Sequence, residues 1–386
     1  MSRSIIVLFL ILITKAEAQK ASALVAAVEN QQIKIADSLY ALGDYTKAIS
    51  LYKQLPNASV QLAKSYEALG SVFKALQNYK VALQKDPNNI LATYSYGKLL
   101  YKASQTKKAD SIFKILSQKN PKNSNFVYYR GLIREKENDS TAFQYYEKAY
   151  RLDENNSNAL YKIAKHHIEK RRFKQAVPFI KKGLLSNQNS VRFLTLQALQ
   201  YFYRKDYHNA LKSYEELLKL NQSNLQLHEN LAESYRMTNQ FEKALEQYTV
   251  LINTYDDKKP KWHKAIARVY KGLKEYDKAI RHTEIAILLQ DVPLDKEYLS
   301  LSYLFKQKGD FKKVMEMLEK AKKENPDSET IEYQLAVAAD NFFKDKETVI
   351  RFYERYLSKY GETGRMRNLA KSRVSDLKKE LHFSKD

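Results

Sequence analysis

The chain has 386 residues, no cysteine, and 66 Lys plus Arg against 44 Asp plus Glu, a formal net charge of +22. The lack of cysteine excludes disulfide scaffolding, thiolate zinc sites and cysteine nucleophiles. The positive excess draws anions, whether acidic peptides, anionic glycans, lipid head groups or nucleic acid; its plain alternative is a lysine-rich solvated surface without a ligand.

The N-terminus reads MSRSIIVLFLILITKAEAQ. Arg3 in a short basic lead, an apolar run from Ile5 to Thr14, and the small pair Ala16 and Ala18 form the three-part pattern of a secretory signal peptide over residues 1–18. Ten apolar residues rise only about 15 Å as a helix, half of the roughly 30 Å hydrocarbon core, which argues against a membrane span. Cleavage after Ala18 is expected, and loss of Arg3, Lys15 and Glu17 with the leader takes the net charge to +21. The expected location is periplasmic or secreted, untethered because no cysteine can carry a lipid. Export makes nucleic acid an unfavoured partner.

Beyond the leader, small residues recur in pairs twelve apart: Ala36 and Ala48, Ala63 and Ala75, Gly97 and Ala109, Ala164 and Ala176, Ala198 and Ala210, Ala232 and Ala244, Ala267 and Ala279. Ser302 with Val314 and Ala336 with Thr348 continue the series, and Gly131 with Ala142 falls one residue short. Successive second members stand 27, 34, 33, 34, 34, 34, 35, 35 and 34 residues apart. Four residues after each comes a bulky side chain: Tyr52, Tyr79, Phe113, Tyr146, Ile180, Tyr214, Tyr248, Leu318 and Phe352, with Thr283 the one polar exception.

This spacing predicts helical hairpins. Residues three and four apart share a helix face, so Leu231, Ala232 and Tyr235 make one apolar stripe and Phe241, Ala244, Leu245 and Tyr248 another, facing each other across a turn at Thr238 to Gln240. Where two axes come closest only a small residue fits, and a large one fills the space a turn later. A single hairpin cannot cover its own apolar face, whereas a stack of them can. Pro87, Pro121 and Pro326 fall in the links between hairpins, and Gly43, Gly70 and Gly309 at the turns inside them. Pro178 falls inside a predicted second helix, where it removes the bond to the Lys174 carbonyl, and a kink is expected there.

A 34-residue helical hairpin with these small and aromatic positions resembles the tetratricopeptide repeat over about residues 33–360. The resemblance implies an all-α solenoid of about ten hairpins in a right-handed superhelix, with the first helices lining a concave groove that binds peptides or partner proteins. The units are expected near residues 33–56, 57–87, 90–121, 124–154, 157–188, 191–222, 225–256, 260–291, 295–326 and 329–360, within an array spanning 19–360. The first unit ends early at Pro56, the fourth has a clipped turn at Asn138-Asp139-Ser140, and the last two lose their second Ala. After Gly361-Glu362-Thr363-Gly364, residues 364–386 carry Met366, Ala370, Val374, Leu377 and Leu381 at helical spacing, which predicts an amphipathic capping helix; a membrane-surface helix is its rival.

Motifs for catalysis and cofactors are missing. Nine glycines leave no G-x-x-x-x-G-K or G-x-G-x-x-G cradle. S-x-x-K occurs six times, as at Ser50/Lys53 and Ser375/Lys378, without S-D-N or K-T-G, as chance allows in a lysine-rich helical chain. His166 and His167 point to different sides of a helix and are expected on the surface. No catalytic residue, metal site or cofactor is expected, and the chain is expected not to be an enzyme. Asp37-Ser38-Leu39, Asp110-Ser111-Ile112 and Asp139-Ser140-Thr141 look like O-glycan acceptors of some exported proteins, a short pattern of low specificity.

The candidate groove residues lie on the outward stripe of the first helices: Tyr94, Lys98 and Tyr101; Tyr161 and Lys165; Lys261, Lys264, Arg268 and Lys271; Tyr303 and Lys306. Tyrosines give rigid contact area and Lys or Arg give charge recognition; packing between neighbouring helices and simple solvation are the alternatives. The cluster Lys261, Lys264, Arg268 and Lys271 lacks the Lys and Asn mixture of the carboxylate clamp in chaperone-binding members of the family. Two readings follow: an exported scaffold holding an extended, acidic protein segment, and a cell-envelope glycan or anionic-lipid binder.

Overall fold

The computed structural model describes residues 27–290 and 292–383, so the expected leader at 1–18 lies outside the described residues. Among them every regular element is helical. The chain divides into two compact units between Gln188 and Asn189.

The first unit holds α1 (27–41) and α2 (Tyr45–Tyr52), α3 (Ser59–Ala68) and α4 (Val72–Lys85), α5 (Ile90–Lys102) and α6 (Thr106–Lys119), α7 (Ser124–Lys136) and α8 (Ala142–Leu152), and α9 (Ser157–Glu169) and α10 (Phe173–Ser186). In the second are α11 (Val191–Tyr203) and α12 (Tyr207–Lys219), α13 (Leu225–Met237) and α14 (Phe241–Thr254), α15 (Pro260–Gly272) and α16 (Tyr276–Leu288), α17 (Asp295–Gln307) and α18 (Phe311–Glu324), α19 (Glu329–Phe342) and α20 (Lys346–Tyr360), and then α21 (Arg367–Phe383). Each odd-numbered helix up to α19 packs against the next as a hairpin.

The small residues sit where the hairpin legs touch. Ala63, Ala75, Ala198, Ala210, Ala232 and Ala244 are all fully buried. A Cβ on Gly131 would stand 2.7 Å from the Tyr146 ring, and one on Gly97 2.9 Å from Ile112 Cγ2, so neither site accepts a larger residue without movement. The bulky residues one turn on are equally buried except in the last hairpin, where Val349 and Tyr353 take the buried places expected for Thr348 and Phe352; among them Tyr146 donates to Glu135 at 2.5 Å, Tyr52 to Asp37 at 2.5 Å, and Tyr214 accepts from Asn230 at 2.8 Å.

One turn design recurs. Gly43, Gly70, Ser104, Asn138, Arg171, Lys205, Asn239, Lys274 and Gly309 all have positive φ, between 55° and 85°. The next residue bonds back five places, as Asp44 N to Leu39 O and Glu275 N to Tyr270 O, both at 2.9 Å, and, except after Asn138, where Thr141 takes that place, it then serves as N-cap of the second helix. Asp44, Asp206 and Asp310 add side-chain caps to Lys47, Asn209 and Lys313. Six of these nine left-handed residues are not glycine, so the motif is hidden from a search for glycines.

α10 runs through Pro178 as one helix. The capping helix α21 buries Ala370, Val374 and Leu377 against a cluster containing Ala336, Tyr353 and Tyr356, while Arg373 forks onto Asp340 at 2.7 and 2.9 Å. Met366, assigned to the apolar stripe from the sequence, is instead exposed, because it precedes the helix proper. Glu329 gathers the Tyr356 hydroxyl and the Arg365 and Met366 amides, which fixes the link into α21.

No helix of the described residues is long and apolar enough to cross a membrane, and no group of three His, Cys, Asp or Glu among them is placed to hold a metal ion.

Candidate functional site

In the second unit, α15 buries Trp262, His263, Ile266 and Val269 on one side and turns Lys264, Arg268 and Lys271 outward, at positions four and three residues apart that share a face. α17 brings Lys296, Glu297 and Ser300 to meet them. Ala267, Thr283 and Leu304 complete a cleft of ≈ 320 Å³.

The cleft holds four cations and one carboxylate. Glu297 receives Lys264 Nζ at 2.8 Å; burial works against its charge, but Lys264 and Gln290 hold the carboxyl below its ordinary range. Lys264 is therefore neutralised. Among the described residues no carboxylate pairs with Arg268, Lys271 or Lys296, and these three leave a net positive site. Lys271 stands over the Tyr303 ring at 3.7 Å.

Tyr303 and Lys306 line a second hollow of ≈ 380 Å³ between α17, α18 and α19. Leu299, Phe311, Val314 and Leu318 make it apolar, and Gln307, Thr330, Gln334 and Asn341 add amide and hydroxyl groups. The two hollows thus present charge and apolar surface side by side, joined by the Lys271–Tyr303 contact.

The other sequence candidates are placed differently. Lys261 points away from the cleft, pairing with Glu229 at 2.5 Å and lying over Trp262. In the first unit, Tyr94 is packed among Phe113, Phe126 and Tyr129 with Lys98 over its ring, and Tyr101 packs edge-on to Tyr129 beneath Lys136. These tyrosines serve packing, which spacing alone could not separate from recognition. Tyr161 is half-buried on α9. Lys165 lines a first-unit hollow of ≈ 330 Å³ with Lys162, Glu135 and Glu169. There Lys162 pairs with Glu135 at 2.5 Å and Lys165 with Glu169 at 3.6 Å, so little charge is left over.

His166 and His167, expected on the surface, are half-buried. His166 stacks on Phe143 and His167 on Phe179, and burial pushes both rings below the ordinary histidine range. Adjacent positions still diverge, but aromatic neighbours from α8 and α10 cover both sides. The aspartates of the three short acceptor-like tripeptides also have structural tasks: Asp37 accepts from Tyr52, Asp110 pairs with Arg130 and Arg134, and Asp139 accepts from Thr141.

Family profiles described as tetratricopeptide repeat match residues 138–199 and 201–269, 32–58, and 298–328. Among solved structures, a tetratricopeptide repeat protein from Parabacteroides merdae is similar at 16% identity and TM-score 0.42, covering 66% of this chain and 98% of its own. Yeast Tom70 is similar at 15% identity and TM-score 0.38, over 92% of this chain and 96% of its own. YrrB, described as having an unusual peptide-binding site, is similar at 16% identity and TM-score 0.44, over 49% and 96%. At these values none of them bears on what this chain binds. No curated protein matches the chain.

Proposed function

Because this chain is a tetratricopeptide-repeat protein, we propose that it is a protein-binding scaffold whose cleft between α15 and α17 holds an extended, acidic segment of a partner protein. The observation that carries this reading is the set of three cations, Arg268, Lys271 and Lys296, that face one cleft without a carboxylate of their own. A solvated charged surface has no need to concentrate like charges around a hollow, where their mutual repulsion costs stability. An anionic partner relieves that repulsion on binding.

The scaffold is exported in this reading. Support comes from the leader pattern of Arg3, Ile5 to Thr14 and the Ala16/Ala18 pair. Mass spectrometry of the mature protein should then give a chain beginning at Gln19.

The test is fluorescence anisotropy of a labelled glutamate-rich peptide with the mature chain. Binding should weaken with salt and fall about tenfold or more in Arg268→Glu/Lys271→Glu/Lys296→Glu, a variant that leaves the Lys264–Glu297 pair intact. Equal binding by variant and wild type would reject the cleft. The glycan and lipid reading is examined in the same assay: capture of purified anionic polysaccharide or anionic vesicles, with no affinity for the peptide, would favour it. The tight packing of Tyr94 and Tyr101, which a sugar-stacking surface would need free, weighs against that alternative.

A further inference from the structure

The first two hairpins end their first helices on the same tripeptide, Ala41-Leu42-Gly43 and Ala68-Leu69-Gly70. Gly43 and Gly70 take positive φ, 85° and 72°, and the leucine before each is left outside: Leu42 is 82% exposed and Leu69 45%. Phe73, four residues on from Leu69 in the first turn of α4, is 79% exposed. Ile49 of α2 packs with Tyr66 of α3, so the two tips are neighbours in the stack, and the Lys102–Glu67 bridge at 2.9 Å ties the second tip to the third. In the later hairpins built on this turn, the place of Leu42 and Leu69 falls to polar residues such as Lys170, Arg204 and Lys308, or to the half-buried Ala103 and Leu273. The place of Phe73 falls to polar residues too, except for Phe143, which is covered by a stack on His166 at 4.0 Å. Single exposed apolar side chains are ordinary, but three on adjacent tips, at positions where other hairpins do well with lysine, form a patch that folding does not require.

Lysines flank the patch. Lys47 is neutralised by Asp44 at 2.8 Å and Lys102 by Glu67. Lys74, Lys107 and Lys108, all exposed in the first turns of α4 and α6, pair with no carboxylate among the described residues, and Lys74 lies instead over the Tyr66 ring at 5.6 Å. We propose that this edge of the first unit docks on the anionic face of a lipid bilayer, with Leu42, Leu69 and Phe73 entering the headgroup layer and the three unpaired lysines meeting lipid phosphates. The inference is independent of the cleft in the second unit. Charge weighs against a second copy of the chain, because pairing the patch with itself would bring both sets of unpaired lysines together. Shape weighs against a protein segment. A leucine four-fifths exposed at a turn stands proud of the fold, and a protein partner would need a matching hollow for it, whereas a headgroup layer yields around each side chain separately. A few shallow apolar insertions and three lysines make a reversible attachment that needs both contributions, so neutral lipid alone should not hold the chain.

The experiment is co-sedimentation of the mature full chain with vesicles of phosphatidylcholine, with and without about 30% phosphatidylglycerol. Binding should require the anionic lipid and fall as salt is raised. Leu42→Ser/Phe73→Ser should weaken it about tenfold or more, and Lys74→Gln/Lys107→Gln/Lys108→Gln to a similar degree. Leu91→Ser, which removes a 78% exposed leucine from the first turn of α5, should leave it unchanged. All these side chains are exposed, so the melting temperature should hold throughout. Phe73→Trp adds a reporter at the patch, because the chain's single tryptophan, Trp262, is buried; its emission should shift to the blue with anionic vesicles. The cleft variant Arg268→Glu/Lys271→Glu/Lys296→Glu should keep most of the vesicle binding, and Leu42→Ser/Phe73→Ser should keep the binding of the glutamate-rich peptide. Failure of the wild-type chain to bind anionic vesicles, binding lost in the cleft variant but kept in Leu42→Ser/Phe73→Ser, or no blue shift in Phe73→Trp would overturn the proposal and leave the cleft reading standing on its own peptide assay. A dimer that dissociates in Leu42→Ser/Phe73→Ser would overturn it too, and give the patch to a second copy.

Discussion

The Lys271 ammonium lies 3.7 Å from the centre of the Tyr303 ring, joining the first helices of two successive hairpins. Both side chains are substantially exposed, so the contact is worth about 0.5–1 kcal/mol. A double-mutant cycle of Lys271→Ala and Tyr303→Leu, measured by urea unfolding, should return a coupling of that size. A coupling near zero would mean that the pair does not fix the wall shared by the two hollows.

Closest-approach positions should be far less tolerant than exposed ones. Ala210→Leu and Ala244→Leu put three extra carbons at fully buried contacts and should cost about 1–3 kcal/mol each. Ala68→Leu, at an exposed helix end, should stay within about 0.5 kcal/mol of the parent. Equal melting temperatures for the two kinds of variant would contradict the assigned register.

Turn residues offer the opposite test. Lys205 and Lys274 hold φ at 61° and 62°, a region that costs an ordinary L-residue about 1–2 kcal/mol. Glycine enters it freely but loses about 0.5–1 kcal/mol through the unfolded chain. Lys205→Gly and Lys274→Gly should therefore be neutral to stabilising by up to about 1 kcal/mol, read as a rise in melting temperature. A loss of more than about 1 kcal/mol would show that these side chains make contacts that outweigh the backbone term.

Acid should loosen the second unit through His282. His263 donates Nε2–H to the Asp257 carbonyl at 2.9 Å, so its Nδ1 is an acceptor and takes a proton from His282 Nδ1 at 3.0 Å. Burial, then the His263 neighbour, lowers the His282 pKa to about 4. The unfolded chain protonates at its ordinary 6.5 while the folded chain stays neutral, so stability is complete above about pH 6.5 and falls until about pH 4. With the ring half exposed, the loss should be about 1–2 kcal/mol. In His282→Gln, whose amide can still donate to His263, that limb of the stability–pH curve should flatten; an unchanged curve would assign the acid sensitivity elsewhere.

The sequence carried the repeat because small side chains at closest approach and bulky ones a turn later are one-dimensional signals of a three-dimensional constraint. Gly43, Gly70 and Gly309 marked turns for the same reason, whereas Arg171, Lys205 and Lys274 adopt the same conformation with no compositional trace. The outward row Lys264, Arg268 and Lys271 was legible from helical spacing. Its neutralisation at Lys264 was not, because Glu297 lies 33 residues away on another hairpin. Thr283 stood out as an exception in the register, yet its place in the wall of the cleft follows only from where α15 and α17 run. Tyr94 and Tyr303 occupy comparable stripes, and it is Phe113, Phe126 and Tyr129 that bury the first while the second stays open.

Site-specific photocrosslinking in the cell of origin tests the central claim most directly. A crosslinking residue in place of Tyr303 should capture, repeatedly, one protein through a segment rich in Asp and Glu, and the same residue in place of the exposed Lys212 on α12 should not. Identical captures from the two positions, or captured segments without acidic residues, would contradict the assignment of the cleft.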